Sequence, residues 1–267
     1  MEKLLQKSRK YFFWAILGLF VFIPLYPKFP LFNVPGTYVA IRIEDFFIAF
    51  VSIWWFILNF KKLRALFREP IAEAILLFWV IGMLSLYSGL VITSTVTPHL
   101  GLLHYLRRVE VMLLFFLALC AFTTKKQVKI WLSTMLFVTL GLILYGFGQQ
   151  WFNFPVISTT NKEFSKGLIL FLSPEARVNS TFAAHYNFAI YLALFFAVCL
   201  SVFFCVKNLF TRAAILITCL LSFILLIMTA ARVSFIAVLL GIGSLFWFLG
   251  QKKLILLIFV ADRKSVV

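Results

Sequence analysis

Five arginines, Arg42, Arg107, Arg108, Arg177 and Arg232, stand at the ends of apolar runs in a chain that is 63% hydrophobic. A guanidinium is planar, stays charged at any working pH and offers paired N–H donors that match the oxygens of a phosphate. Several such groups meeting at one membrane face would make a seat for a di-anion attached to a lipid. The low dielectric around that seat would strengthen each contact relative to water. If a bond to the di-anion breaks, the same groups would stabilise the charge building on the leaving group. A plainer reading is ion pairing or snorkelling: Arg42 with Glu44 or Asp45, and Arg107 with Glu110 at helical spacing. That reading serves Arg232 poorly, because MTAARVSFIAVLLG contains no acid.

The elements that must position these arginines are set by hydropathy. The 267 residues include 34 Phe and have a mean hydropathy of +1.04. No soluble core hides that much apolar surface, and several runs approach the roughly 20 residues that cross a bilayer. The expected fold is all-α, a polytopic transmembrane bundle in a single domain over 1–267. About eight spans are expected, near 11–26, 45–60, 71–92, 108–122, 128–150, 184–206, 212–230 and 233–250, with a partial ninth from Leu254. The basic, apolar N-terminus resembles a signal peptide but leads into Pro24–Pro30 without a small-x-small cleavage site, so it reads as a retained first span. A long outer loop occupies about 151–183, and shorter outer loops hold Pro27–Arg42 and Thr93–His104.

The formal net charge of +16 comes from 25 Lys and Arg against 9 Asp and Glu. No basic face or motif directs it at nucleic acid; in a membrane protein it sets topology. Sorted by loop, fifteen basic residues fall on one side, among them Lys3, Lys7, Arg9, Lys10, Arg68, Lys125, Lys126, Lys129, Lys207 and Arg212. That side and the N-terminus are read as cytoplasmic. The other ten are Lys28, Arg42, Arg107, Arg108, Lys162, Lys166, Arg177, Arg232, Arg263 and Lys264. Cations kept against the topological tendency need another reason, and binding is a common one. A polyprenyl diphosphate carrying a sugar chain fits the chemistry: its lipid would lie among the helices while its phosphates met the arginines.

Two stretches extend this reading. RVNSTFAAHYNFAIYL, from Arg177, resembles the R-x-x-G-T-F-x-x-x-N-x-x-A-x-Y-L pattern of the O-antigen ligase and O-antigen polymerase superfamily. TAARVSFIAVLLG is similar to that family's T-x-S-R-x-x-x-x-x-x-x-x-G helix start. IRIEDFFIAF, YLRRVEVMLLFF and YGFGQQWFNFP resemble its N-terminal half. The resemblance implies a glycosyltransferase of the bacterial inner membrane. Such an enzyme moves glycan from undecaprenyl-pyrophosphate to an acceptor hydroxyl of a glycan, lipid or protein on the outer face, without metal or cofactor. It implies that Arg177 and Arg232 contact the diphosphate; Arg42, Arg107 and Arg108 join them by location alone. The family's glycine is replaced near Asn179 and Ser180, and the serine before its second arginine is Ala231. The histidine that the family carries in a later outer loop has no counterpart here, and LILLIFVADRKSVV reads as the start of an interrupted span. Alternatives are a transporter or flippase for a lipid-linked or anionic solute, and a non-enzymatic membrane scaffold.

Other signals read as structure. Cys120, Cys199, Cys205 and Cys219 lie in apolar runs without ligand spacing. His99, His104 and His185 read as interfacial hydrogen-bonders, and Gly146 and Gly148 as sites of close helix packing. Asn179-Ser180-Thr181 satisfies a glycosylation sequon by chance composition.

Overall fold

The computed structural model describes residues 2–34, 40–60, 63–157, 169–173, 176–248 and 250. Lys162 and Lys166, the run from Leu254, and Arg263 and Lys264 lie outside the described residues. The architecture is helical. In chain order the helices are α1 (Glu2–Leu25), α2 (Ile43–Asn59), α3 (Leu63–Leu66), α4 (Pro70–Tyr87), α5 (Pro98–Ala121), α6 (Lys125–Trp151), α7 (His185–Cys205), α8 (Leu209–Met228) and α9 (Arg232–Phe248). A π turn, Ser88–Ile92, continues α4.

Four segments have both the length and the apolar content of a membrane span: Pro70–Ile92, Lys125–Trp151, His185–Cys205 and Leu209–Met228. None of the most apolar window of Pro70–Ile92 is buried within the protein. Leu77, Ile81, Met83 and Leu84 there are each more than half exposed. A continuous apolar surface of this kind marks Pro70–Ile92 as a candidate membrane span.

One expected boundary is corrected. Thr93–His104 was read as loop with a span from 108, yet α5 starts at Pro98. Proline at the first helical position costs nothing, since its missing N–H would have no intrahelical partner there. His99, His104, Arg107 and Arg108 are therefore helical. Of the four cysteines in apolar runs, Cys199 and Cys219 are buried, Cys120 is half-buried and Cys205 is exposed at the end of α7.

The chain divides into two compact units, one of Met1–Ile23 and Pro30–Thr134, the other of Pro24–Phe29 and Met135–Val267. In the first, α5 packs against α2 and α4. Phe116 on α5 is fully buried and takes the rings of Trp55, Phe67 and Trp79 at 5.5–6.0 Å between centroids. Phe12, Ile16, Ile48 and Leu117 complete that core.

In the second unit α7 packs against α8 and α9. Phe188, Leu192 and Phe195 on α7, Leu142 and Ile143 on α6, and Leu225 on α8 are all fully buried. The Thr139 hydroxyl and the Tyr191 hydroxyl share a hydrogen bond of 2.9 Å between α6 and α7. Gly146 lets Val178 and Leu225 close on α6, so that a Cβ there would stand 3.3 Å from both side chains. Gly148 does the same for the Phe154 ring, which a Cβ would meet at 2.2 Å. Close packing at both glycines is met, although Gly148 faces a loop ring, not a helix. Two short strands, β1 (Val156–Ile157) and β2 (Ile169–Leu170), pair antiparallel in the stretch between α6 and α7.

The α8–α9 junction is a tight reversal. Thr229 N–H donates to Leu225 O, the Thr229 hydroxyl to Leu226 O, and Ala230 N–H to Ile227 O. Ala230 has φ +51°, a conformation that costs an L-residue roughly 1–2 kcal/mol and glycine nothing. Ala230→Gly should raise the unfolding free energy by up to about 1 kcal/mol, after the offset of glycine's greater freedom in the unfolded chain. Ala230→Val should lower it. Thermal midpoints of the detergent-solubilised protein check both.

Candidate functional site

The segment from Ala176 to Ala184 carries the first arginine motif into α7. It is not helical, yet Val178, Asn179, Ser180, Thr181, Ala183 and Ala184 are all buried. A buried, irregular backbone needs a partner for each polar group, and here the partners are specific. Gln149 of α6, fully buried, accepts from Ser180 N–H at 2.8 Å through Oε1. It donates from Nε2 to Ser180 O at 2.9 Å and to Pro155 O at 3.2 Å. The Ser180 hydroxyl donates to Leu142 O at 2.9 Å. Thr181 donates its hydroxyl to Pro24 O, one of the carbonyls left without a partner at the end of α1. Ser180 itself has φ +51°. The position where the resembled pattern has glycine thus needs the left-handed conformation, and serine occupies it under three hydrogen bonds.

Asn179 is 5% exposed; its Nδ2 donates to Phe182 O, and Phe182 N–H returns a bond to Asn179 O. The sequon is therefore part of a buried turn. Phe182 then stacks on Phe188 at 5.5 Å and meets Tyr191 at 5.4 Å, which fixes the entry to α7.

Arg177 precedes this anchored stretch and is exposed. Its Nη1 lies 3.1 Å from Nε2 of His185. A guanidinium has no acceptor, so Nε2 accepts and the imidazole proton sits on Nδ1. His185 is thus a neutral prop for Arg177. The next residue, Val178, donates its N–H to Met228 O at the end of α8, 3.4 Å away. Met228 is followed by the Thr229–Ala230 reversal and then by Arg232, the first residue of α9. The two arginine motifs, about fifty residues apart in the chain, thereby meet at one hydrogen bond. Arg232 is exposed; among the described residues neither Arg177 nor Arg232 forms an ion pair.

The first unit treats its arginines differently. Arg42 Nη1 lies 3.2 Å from Glu44 Oε1, and the backbone N–H of Arg42 donates to Asp45 Oδ2 at 2.8 Å, closing a box at the start of α2. Arg107 Nη1 pairs with Asp45 Oδ1 and stands 3.6 Å from Glu110 Oε2; its Nη2 donates to Ala40 O at 3.2 Å. The ion-pair reading of Arg42 and Arg107 is met in both cases, with Asp45 taking Arg107 as well. Arg108 is exposed.

No family model, curated protein or solved structure matches this chain. The site therefore stands on its own geometry.

One of its members gave no sign in the sequence. Gln149 is one glutamine of a Gln-Gln pair within an apolar helix, and only the fold brings it to Ser180. Lys28, one of the ten cations read as outer, is buried in the second unit. A buried glutamine that is the partner of both backbone groups of Ser180, besides Pro155 O, is expensive to remove, since each orphaned group costs about 1–3 kcal/mol. Gln149→Ala should destabilise the protein by roughly 2–4 kcal/mol. Gln149→Glu, which cannot donate to Ser180 O when ionised, should also lose stability. Thermal unfolding and the rate of proteolysis within 176–184 report both effects.

Proposed function

We infer that this chain is a membrane glycosyltransferase of the O-antigen ligase/polymerase type that takes glycan from a polyprenyl diphosphate. Arg177 and Arg232 hold the diphosphate. The transfer is displacement at the anomeric carbon by an acceptor hydroxyl, with the diphosphate as leaving group and the two guanidiniums taking up its growing charge. Helices α1, α2, α4, α5, α6, α7, α8 and α9 supply the eight crossings. The N-terminus lies in the cytoplasm, and the arginines lie on the outer face of the inner membrane.

The observation that carries this reading is the Val178–Met228 hydrogen bond. It joins the two motif segments while both arginines stay exposed and without carboxylate partners among the described residues. Arg232 also opens α9, where the helix dipole disfavours a cation by about 0.3–1 kcal/mol. An anion bound there would interact favourably with both the arginine and the first-turn N–H groups. Arg42 and Arg107 already have carboxylates on them, so the diphosphate is assigned to Arg177 and Arg232.

The test is binding of an undecaprenyl diphosphate to the protein in phosphatidylcholine vesicles. Arg177→Ala and Arg232→Ala should each weaken it about 10- to 100-fold, the range of one charge-assisted contact. The lysine variants should keep part of the affinity. In cells both alanine variants should lose surface glycan. Unchanged binding with intact surface glycan in both variants would defeat the reading and favour a scaffold.

A further inference from the structure

The guanidinium of Arg177 is held on one side only. Its Nη1 donates to Nε2 of His185 at 3.1 Å, and among the described residues this is the one hydrogen bond of the side chain. Nε–H and Nη2 lie on the other side of the planar fork, where two N–H groups point in parallel. Such an edge meets two oxygens of one phosphate at once. The contact to His185 therefore leaves free an edge that suits a di-anion.

His185 is suited to hold that fork still. It is the first residue of α7, and the chain entering α7 is fixed by the Phe182–Phe188 stack at 5.5 Å and by the buried turn at Ser180. The imidazole stands edge-on to the Tyr186 ring, with 5.5 Å between centroids and 78° between planes. It is half-buried, whereas Arg177 is exposed. An imidazole also has fewer rotatable bonds than an arginine, so the stiffer group restrains the more mobile one. The type of acceptor matters as well. A carboxylate in that place would cancel the charge, as Asp45 does for Arg107. The imidazole with its proton on Nδ1 supplies an acceptor that carries no negative charge.

We propose that His185 is a positioning residue for ligand binding: it fixes the Arg177 fork so that the Nε–Nη2 edge is the one presented to the diphosphate. This deepens the diphosphate reading above and rests on it. A long exposed side chain loses freedom when it binds, and here part of that freedom is restrained before the ligand arrives, which raises affinity. His185 acts through Arg177 and does not itself touch the ligand.

The probe is undecaprenyl diphosphate, titrated onto the whole protein in phosphatidylcholine vesicles. His185→Phe keeps a ring beside Tyr186 but has no acceptor, and it should weaken binding about 3- to 10-fold, the range of one neutral hydrogen bond. His185→Gln places an amide oxygen near the position of Nε2 and should bring affinity back to within about twofold of the wild type. In an Arg177→Ala background His185→Phe should have no further effect, because its influence passes through the fork. With ¹⁵N-labelled histidine, the signal lost in His185→Gln should show a protonated Nδ1 and a bare Nε2, and Arg177→Ala should mix the two tautomers. Wild-type affinity in His185→Phe beside weakened binding in Arg177→Ala overturns the positioning role and leaves the diphosphate reading standing. Unchanged binding in Arg177→Ala removes both. A His185→Phe loss that persists in the Arg177→Ala background, or that His185→Gln fails to rescue, also overturns the proposal.

Discussion

The second unit depends on the grip of one buried side-chain amide on one backbone residue. A buried backbone group has no water to bond, so irregular backbone inside the protein is tolerated only where protein groups answer it. The stretch 176–184 is irregular and buried, and Gln149 answers both the N–H and the carbonyl of Ser180. Around that grip the remaining groups find helix ends. Val178 meets the last carbonyl of α8, Thr181 meets a terminal carbonyl of α1, and the Ser180 hydroxyl reaches a carbonyl inside α6. Gly146 is what allows the approach, because Val178 and Leu225 occupy the space its side chain would take. The loop is held by three helices, and α7 begins from a fixed point.

The arginines then divide by their surroundings. Arg42 and Arg107 are partly buried and lie against Glu44, Asp45 and Glu110. A guanidinium withdrawn from water needs such company, since the desolvation of an unpaired ion exceeds what scattered dipoles return. Their role is architectural: Asp45 and Arg107 connect the start of α2 to α5. Arg177 and Arg232 remain exposed, and the one described side-chain partner of Arg177 is an imidazole, which orients the fork without cancelling its charge. A site for an external anion requires this second condition, because a guanidinium already neutralised by a carboxylate gains little from another.

How much of this the sequence discloses depends on separation along the chain. The helices were legible because hydropathy is local, and every expected apolar run from 11 to 250 became helix. The start of α5 was misjudged because PHLGLLHYLRRVE mixes polar and apolar residues, and a hydropathy reading stops where the charges begin. The Arg107–Glu110 pair was legible at helical spacing, whereas Arg107–Asp45 joins residues 62 apart and appears only when α2 meets α5. Gln149 was illegible for the same reason, being 31 residues from Ser180.

Two of the four left-handed non-glycine residues described, Ser180 and Ala230, lie beside the exposed arginines. Ser180 follows Arg177 by three residues and Ala230 precedes Arg232 by two, and both have φ +51°. A single left-handed residue reverses the chain sharply without the length of a loop, so an adjacent side chain can sit at a helix mouth and not on a lateral face. Each carries a cost of roughly 1–2 kcal/mol for a residue with a Cβ. At Ser180 that cost is offset by the Leu142 and Gln149 hydrogen bonds, which glycine could share only through its backbone. At Ala230 the methyl group makes no hydrogen bond, and the strain is opposed by the Thr229 and Ala230 bonds to the end of α8. Strain of this kind persists where surrounding structure over-determines the backbone. Ser180 and Ala230 flank the exposed arginines, and the Val178–Met228 hydrogen bond joins the two segments, so the local geometry of the two motifs meets at one junction.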